Sequence, residues 1–263
     1  MRGEDGFSNE AHGEGKMYYD EGNLLYEGQF RDGVMHGEGK LYDNEIGGLR
    51  YKGQFQDGLP HGEGEEYYWK DDKLRYEVQL RYKGQFKDAN RHGIGKIFYE
   101  SGILLYEGQF KENLPWGAGK RYDEKGNLNY EGQFQDGVPH GEGMSYDEKG
   151  NLEYEGQFQD GEYQRGKLYH ENGELWYIGQ FQDDVPHGEG KSYDEKGNLE
   201  YKGRFHDGVP HGEGMSYDEK GNLEYKGQFQ EGVQHGKIEY YKCHSICILL
   251  FILIITCTYI RRR

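Results

Sequence analysis

From Leu152 to Phe158 the chain reads LEYEGQF, in which Leu152, Tyr154, Gly156 and Phe158 alternate with Glu153, Glu155 and Gln157. Period two is the pattern of a strand with one buried face and one wet face. The core of this segment, Tyr-x-Gly-x-Phe, occurs nine times. The copies are Tyr26-Gly28-Phe30, Tyr51-Gly53-Phe55, Tyr82-Gly84-Phe86, Tyr106-Gly108-Phe110 and Tyr130-Gly132-Phe134. Tyr154-Gly156-Phe158, Tyr177-Gly179-Phe181, Tyr201-Gly203-Phe205 and Tyr225-Gly227-Phe229 complete the set. Successive tyrosines lie 25, 31, 24, 24, 24, 23, 24 and 24 residues apart. Such a period means one supersecondary unit stacked along a line.

The segments between these strands predict the rest of the unit. Gln135 to Gly141 contains Asp-Gly and Pro, which favour reversal, so it reads as a turn. Glu142–Tyr146 reads as a second strand, and Asp147–Asn151 as the reversal into the next copy. Each copy is then a β-hairpin, and the hairpins join into one antiparallel meander. Eighteen strands at about 4.8 Å each give a length of roughly 85 Å. The signature glycine is expected to open a slot for a ring of the adjoining copy. The tyrosine ring is expected to pack while its hydroxyl stays in water. Alternation from Leu74 to Phe86 predicts one overlong or bulged strand, either a harmless slipped duplication or a ledge for a partner. The terminal strands present unpaired backbone, which leads to an expectation of end-to-end pairing or dimerisation.

Composition supports folding without a globular interior. Apolar residues make up 33%, but aromatic residues reach 15%, with 25 tyrosines and 44 glycines. Burial must therefore come from stacked rings. The net charge is −16, and the three terminal arginines are cationic, so the chain before Cys243 is more acidic still. That balance argues against nucleic acid as a partner and against broad adsorption to an anionic bilayer. Cys243, Cys247 and Cys257 all lie in the final segment, so no disulfide staples the repeats. Met1–Phe7 lacks the apolar run of a signal peptide, and the repeats are expected to be cytoplasmic.

Candidate chemistry is sparse. A His-Gly-x-Gly or near version follows at His12, His36, His61, His92, His140, His187, His211 and His235. Histidines one copy apart stand about 10 Å apart, too far to share an ion, so turn packing is expected rather than metal binding. Gly190-Lys191-Ser192 ends like a phosphate loop, but Val185 stands where its first glycine belongs. The acidic turns are too short for a calcium loop. No catalytic residue, cofactor, metal or small-molecule substrate is expected.

From Cys243 to Ile260 the chain is uncharged for 18 residues, and Arg261, Arg262 and Arg263 follow. As a helix this covers roughly 27 Å, just short of a hydrocarbon core of about 30 Å. Ile246, Leu249, Leu250, Phe251, Ile252, Leu253, Ile254, Ile255 and Ile260 favour insertion, and the arginines reach headgroups. A C-terminal transmembrane helix acting as a single-pass tail anchor is expected. A strand capping the last copy and an erroneous reading frame stay open as alternatives.

Tyr-x-Gly-x-Phe, Asp-Gly, His-Gly-x-Gly and a closing Tyr, in phase over residues 11–241, resemble the MORN repeat family. The resemblance implies an all-β fold: an elongated antiparallel hairpin-repeat solenoid, a single-layer meander of about nine copies. It further implies pairing with a second sheet or another protein. The organisation expected is an N-terminal extension (1–10), the repeat domain (11–241) and the hydrophobic anchor with its basic end (242–263). The resemblance implies a non-catalytic scaffold at a membrane, joining protein partners at membrane–cytoskeleton junctions or targeting them. Two other roles follow from it: direct phospholipid binding by the repeats, or antitoxin-like capture of a protein toxin.

Overall fold

The computed structural model describes residues 12–72 and 75–236. They form one sheet of nineteen antiparallel strands. The order begins β1 (Gly13–Tyr18), β2 (Leu24–Arg31), β3 (Val34–Tyr42), β4 (Leu49–Gln56), β5 (Leu59–Asp72) and β6 (Arg75–Lys87). It continues with β7 (Asn90–Phe98), β8 (Leu104–Lys111), β9 (Leu114–Tyr122), β10 (Leu128–Gln135), β11 (Val138–Tyr146) and β12 (Leu152–Gln159). The remainder are β13 (Glu162–Tyr169), β14 (Leu175–Gln182), β15 (Val185–Tyr193), β16 (Leu199–His206), β17 (Val209–Tyr217), β18 (Leu223–Gln230) and β19 (Val233–His235). Each strand pairs with its neighbours in sequence, so the sheet is an unclosed meander edged by β1 and β19. The half copy at the start supplies β1, which is why there are nineteen strands and not eighteen. Residues 237–263, including the expected membrane helix, lie outside the described residues.

The Asp-Gly turn is tighter than the sequence suggests. It holds two residues, Asp136 and Gly137, at φ of 50° and 88°. Two successive left-handed residues make the turn whose twist matches a hairpin. Val138, Pro139 and His140, expected in the turn, already belong to β11. The proline fits because the register places it opposite Phe134, and a bulge follows immediately. Gly132 faces Gly143 while Phe134 faces Pro139, so His140, Gly141 and Glu142 together oppose Gln133. Gly141 takes φ of 75° to make this bulge.

The bulge exposes backbone groups that the signature glutamine satisfies. Gln54 Oε1 accepts the Glu63 N–H at 3.1 Å, and Gln180 Oε1 accepts that of Glu189 at 3.1 Å. The main-chain carbonyl of the same glutamine takes the tyrosine hydroxyl: Tyr51 donates to Gln54 and Tyr130 to Gln133, both at 2.9 Å. One residue thus ties together bulge and ring.

The ring that fills the glycine slot comes from the same copy, not the adjoining one. Tyr130 lies flat over the facing pair Gly132 and Gly143, where a methyl on Gly143 would stand 2.6 Å from the ring carbon Cζ. The hydroxyl is likewise not left in water but bonded to the Gln133 carbonyl. What the next copy contributes is its phenylalanine. Tyr26 meets Phe30 of its own copy and Phe55 of the next, each edge-to-face, at 5.2 and 5.0 Å. The arrangement repeats without a gap to Tyr225 and Phe229. The signature rings are at most 7% exposed, so they are the core and not a surface offered to partners.

A second seam joins copies through the backbone. The N–H of the turn glycine reaches back to the previous copy, as in Gly137 to the Pro115 carbonyl and Gly208 to that of Pro186, each at 3.0 Å. The overlong strand expected after Leu74 is present: β5 and β6 run 14 and 13 residues and stay paired to Asp72–Arg75, with a register shift at Glu66/Tyr67.

Gly143→Ala is expected to lower stability by about 1–3 kcal/mol, the cost of overpacking a filled site. Urea unfolding of the variant beside the parent measures it. An unchanged midpoint would contradict the placement of Tyr130 on the glycine pair.

Candidate functional site

A single layer has two broad faces, and they differ. One carries the ring ladder. The other carries the residues that alternate with it.

On the ladder face, the second strand of each hairpin places one varied residue level with the tyrosines. The register gives Leu41 beside Tyr51, Glu66 beside Tyr82, Arg121 beside Tyr130, Ser145 beside Tyr154 and Ser192 beside Tyr201. Frame residues stay constant while this position changes size and charge. Several of these residues find a partner one copy further on. Arg91 places two nitrogens on Glu66 Oε2, at 2.9 and 2.7 Å. Tyr163 stacks on Tyr154 with ring centres 3.9 Å apart, its hydroxyl 2.9 Å from Ser145 Oγ. Gln234 Nε2 donates to Ser216 Oγ at 3.4 Å.

Tyr163 stands where five other copies have proline, in the copy that has lost the whole His-Gly-x-Gly segment. Its bulge carries one extra residue instead of two, which accounts for the 23-residue gap. At Ser192 the residue in the corresponding place is Pro210, which cannot donate a hydrogen bond. A groove of 660 Å³ opens there, bordered by Tyr177, Ser192, Tyr201, Phe205 and Pro210. Trp176 stands at its rim, 38% exposed.

On the opposite face the central row is charged. Glu27 accepts hydrogen bonds from Tyr42 at 2.7 Å and from Lys40 at 2.9 Å, which together hold its carboxyl down at about 2. Glu65 is lowered by Tyr67 and Lys83, and Glu107 by Lys96 and Tyr122. Along the loop edge, Asp147 receives the Asn151 side-chain amide at 3.0 Å and its N–H at 2.8 Å, which lowers its pKa. On the ladder face, burial pushes the Tyr26, Tyr130 and Tyr201 hydroxyls up to about 12.

The motif histidines sit in the bulges. Nδ1 atoms of His36, His61, His140 and His187 are buried and make no hydrogen bond among the described residues. His206, outside the motif, stands between His187 and His211 with ring centres 5.0 and 5.5 Å apart. The described residues hold no group of three or more His, Cys, Asp or Glu placed to hold a metal ion. No helix among them is long and apolar enough to cross a membrane.

Two features escaped the sequence reading: the varied row on the ladder face and the charged row behind it. Both become visible once the bulges fix the register. Before that, the varied residue reads as one of several unremarkable positions before the closing tyrosine.

Hairpin, bulge and ring-on-glycine recur in phase, and the sequence models agree with them. The MORN repeat model matches residues 26–44, 51–73, 106–128, 130–152, 177–199, 201–223 and 225–237, more than half of the chain. The chain belongs to the MORN repeat family. A MORN repeat variant model matches 11–32, 91–112 and 165–183, the last of which begins just after Tyr163. No curated protein sequence matches the chain significantly.

The titration of this MORN sheet has two limbs. Its hydrogen-bonded carboxyls titrate lower folded than unfolded. Their stabilisation is therefore complete above the ordinary glutamate value of 4.5 and is lost as pH falls from there toward 2. The buried tyrosines titrate higher folded than unfolded. Theirs is complete below 10.0 and is lost as pH rises from there toward 12. Thermal melts across pH are expected to decline in both windows, and Glu27→Gln is expected to flatten the acid decline. An identical acid limb in that variant would remove Glu27 from the account.

Proposed function

We propose that this MORN protein is a non-catalytic scaffold that holds a protein partner against its sheet and is attached to a membrane through residues 243–260. The observation that carries the reading is the constant frame bearing a varied row. Ring, glycine and glutamine positions are spent on the fold, while Leu41, Glu66, Arg121, Ser145 and Ser192 differ in size and charge at equivalent places. A sheet one layer thick leaves this row half-exposed, apart from the buried Leu168, and an extended partner laid along it meets many copies at once. Family membership supports the scaffold, since MORN repeats often bind proteins or lipids. The apolar run from Cys243 to Ile260 with Arg261–Arg263 supports the attachment.

Fractionation of the full chain beside a chain ending at Tyr241 tests both parts. The full chain is expected in the carbonate-washed membrane pellet with a protein partner in fixed ratio. The shortened chain is expected in the supernatant with the same partner. A shortened chain that still pellets overturns the attachment, and one recovered without any partner overturns the scaffold.

A further inference from the structure

The charged face is not uniform along its length, and its composition departs from the acidic character of the chain. Its central row has one residue per strand, directly opposite one another through the register. As far as Lys167 every lysine of this row has a glutamate on an adjacent strand. Lys16 and Lys40 flank Glu27, Lys52 and Lys83 flank Glu65, Lys96 and Lys120 flank Glu107, and Lys167 faces Glu155. Most of these make ion pairs, such as Lys83–Glu65 at 2.9 Å and Lys96–Glu107 at 2.8 Å. In this part of the row each lysine thus has a carboxylate beside it, with seven lysines to five glutamates.

Beyond β13 the glutamates stop. The row continues as Ile178, Lys191, Lys202, Met215 and Lys226. The three lysines are exposed and form no ion pair among the described residues. Ile178 is 36% exposed between Lys167 and Lys191. The nearest acid on β15, Glu189, is engaged by Arg204 at 3.0 Å. A trough of 430 Å³ lies here, lined by Lys167, Ile178, Lys191 and Lys202 among others.

Lys191 and Lys202 are directly opposite on adjacent strands, as Lys40–Lys52 and Lys83–Lys96 are, but their outer neighbours are Ile178 and Met215 where those pairs have glutamates. Like charges so placed destabilise a sheet. The fold gains nothing from them, while an anion lying along the row relieves both. We infer that the face of β14–β18 is a docking surface for an extended acidic segment of a partner protein, which deepens the scaffold reading and rests on it.

Charge complementarity fixes the sign of the occupant, and the width of the row fixes its shape. The basic row is one residue wide. Acidic turns border it on both sides, with Asp183, Asp184 and Asp207 at one edge and Asp194-Glu195 and Asp218-Glu219 at the other. A flat anionic bilayer broad enough to reach the lysines also meets those carboxylates. A single extended chain does not. From β14 to β18 the row covers four strand spacings, about 19 Å, the length of an extended peptide of about six residues. Ile178 and Met215 give its side chains apolar contact between the lysines.

The test uses the purified full chain in non-ionic detergent and a fluorescent peptide of about eight residues alternating glutamate and serine. Anisotropy is expected to show binding that weakens as salt rises. Lys191→Glu combined with Lys202→Glu is expected to weaken it about tenfold or more. Lys40→Glu combined with Lys52→Glu, in the part of the row where glutamates flank the lysines, is expected to leave it within about twofold. Lys202→Glu alone removes the repulsion with Lys191, so this variant is expected to melt no lower than the parent while binding less. That readout separates lost docking from lost folding. Absent peptide binding, or equal loss from both double variants, overturns the inference. So does tighter binding, lost in the β15–β16 double variant, to mixed micelles carrying phosphatidylserine or to a single-stranded oligonucleotide. If the peptide fails while the co-purifying partner stays bound to the β15–β16 double variant, this surface is wrong and the scaffold stands. If no partner co-purifies with either, the scaffold reading itself fails.

Discussion

Everything in this sheet depends on a tyrosine ring lying flat on two glycines. The contact is possible because neither strand carries a Cβ where the ring rests, as at Gly132 and Gly143 under Tyr130. It is held because the hydroxyl finds the carbonyl of the glutamine three residues on. A buried phenol without that partner would lose about 1–3 kcal/mol, comparable to what burying its ring contributes. Ring burial and hydroxyl satisfaction therefore come from one side-chain conformation, and the copy needs no second layer to cover it.

Cohesion between copies follows from the same ring. Its two edges meet the phenylalanine of its own copy and that of the next, so each joint carries an edge-to-face contact worth about 0.5–1.5 kcal/mol beyond burial. The turn glycine adds a backbone hydrogen bond across the joint. Coupling is thus confined to nearest neighbours, which is the condition for a linear repeat array. The copy with Tyr163 shows how far the frame bends. It loses a residue from the bulge, loses the histidine, and replaces proline with a ring that stacks on Tyr154. The ladder passes through it unbroken, from Phe158 on Tyr130 to Phe181 on Tyr154.

Much of this was legible in the sequence. Period-two alternation gave the first strand, Asp-Gly gave the hairpin, and Asp147–Asn151 gave the reversal, because each is a local signal with a local cause. The extension of β6 was legible for the same reason, whereas that of its partner β5 was not. What the sequence concealed was register. The bulge at His140–Glu142 shifts the second strand against the first by two residues, and no local signal says so. With that offset unknown, the expected donor of the ring was the wrong copy, and Pro139 was assigned to the turn. The lysine row was hidden by the same offset, and also by averaging. A net charge of −16 describes the chain, whereas Lys191, Lys202 and Lys226 become one line only when adjacent strands are aligned.

The two long margins of the sheet obey different rules of growth. Along the Asp-Gly margin every turn in the described residues holds two residues, and stitching to the preceding copy leaves no slack. Both lengthened connections, the Asp43–Gly48 loop and the projecting β5–β6 hairpin, are on the other margin, where side chains such as Lys125 and Glu148 make the link. Inserted sequence can hang from one selvedge only. A loop, tag or whole domain grafted between Asp147 and Asn151 has room to leave the ribbon, whereas the same graft at Asp136–Gly137 would have to tear a seam.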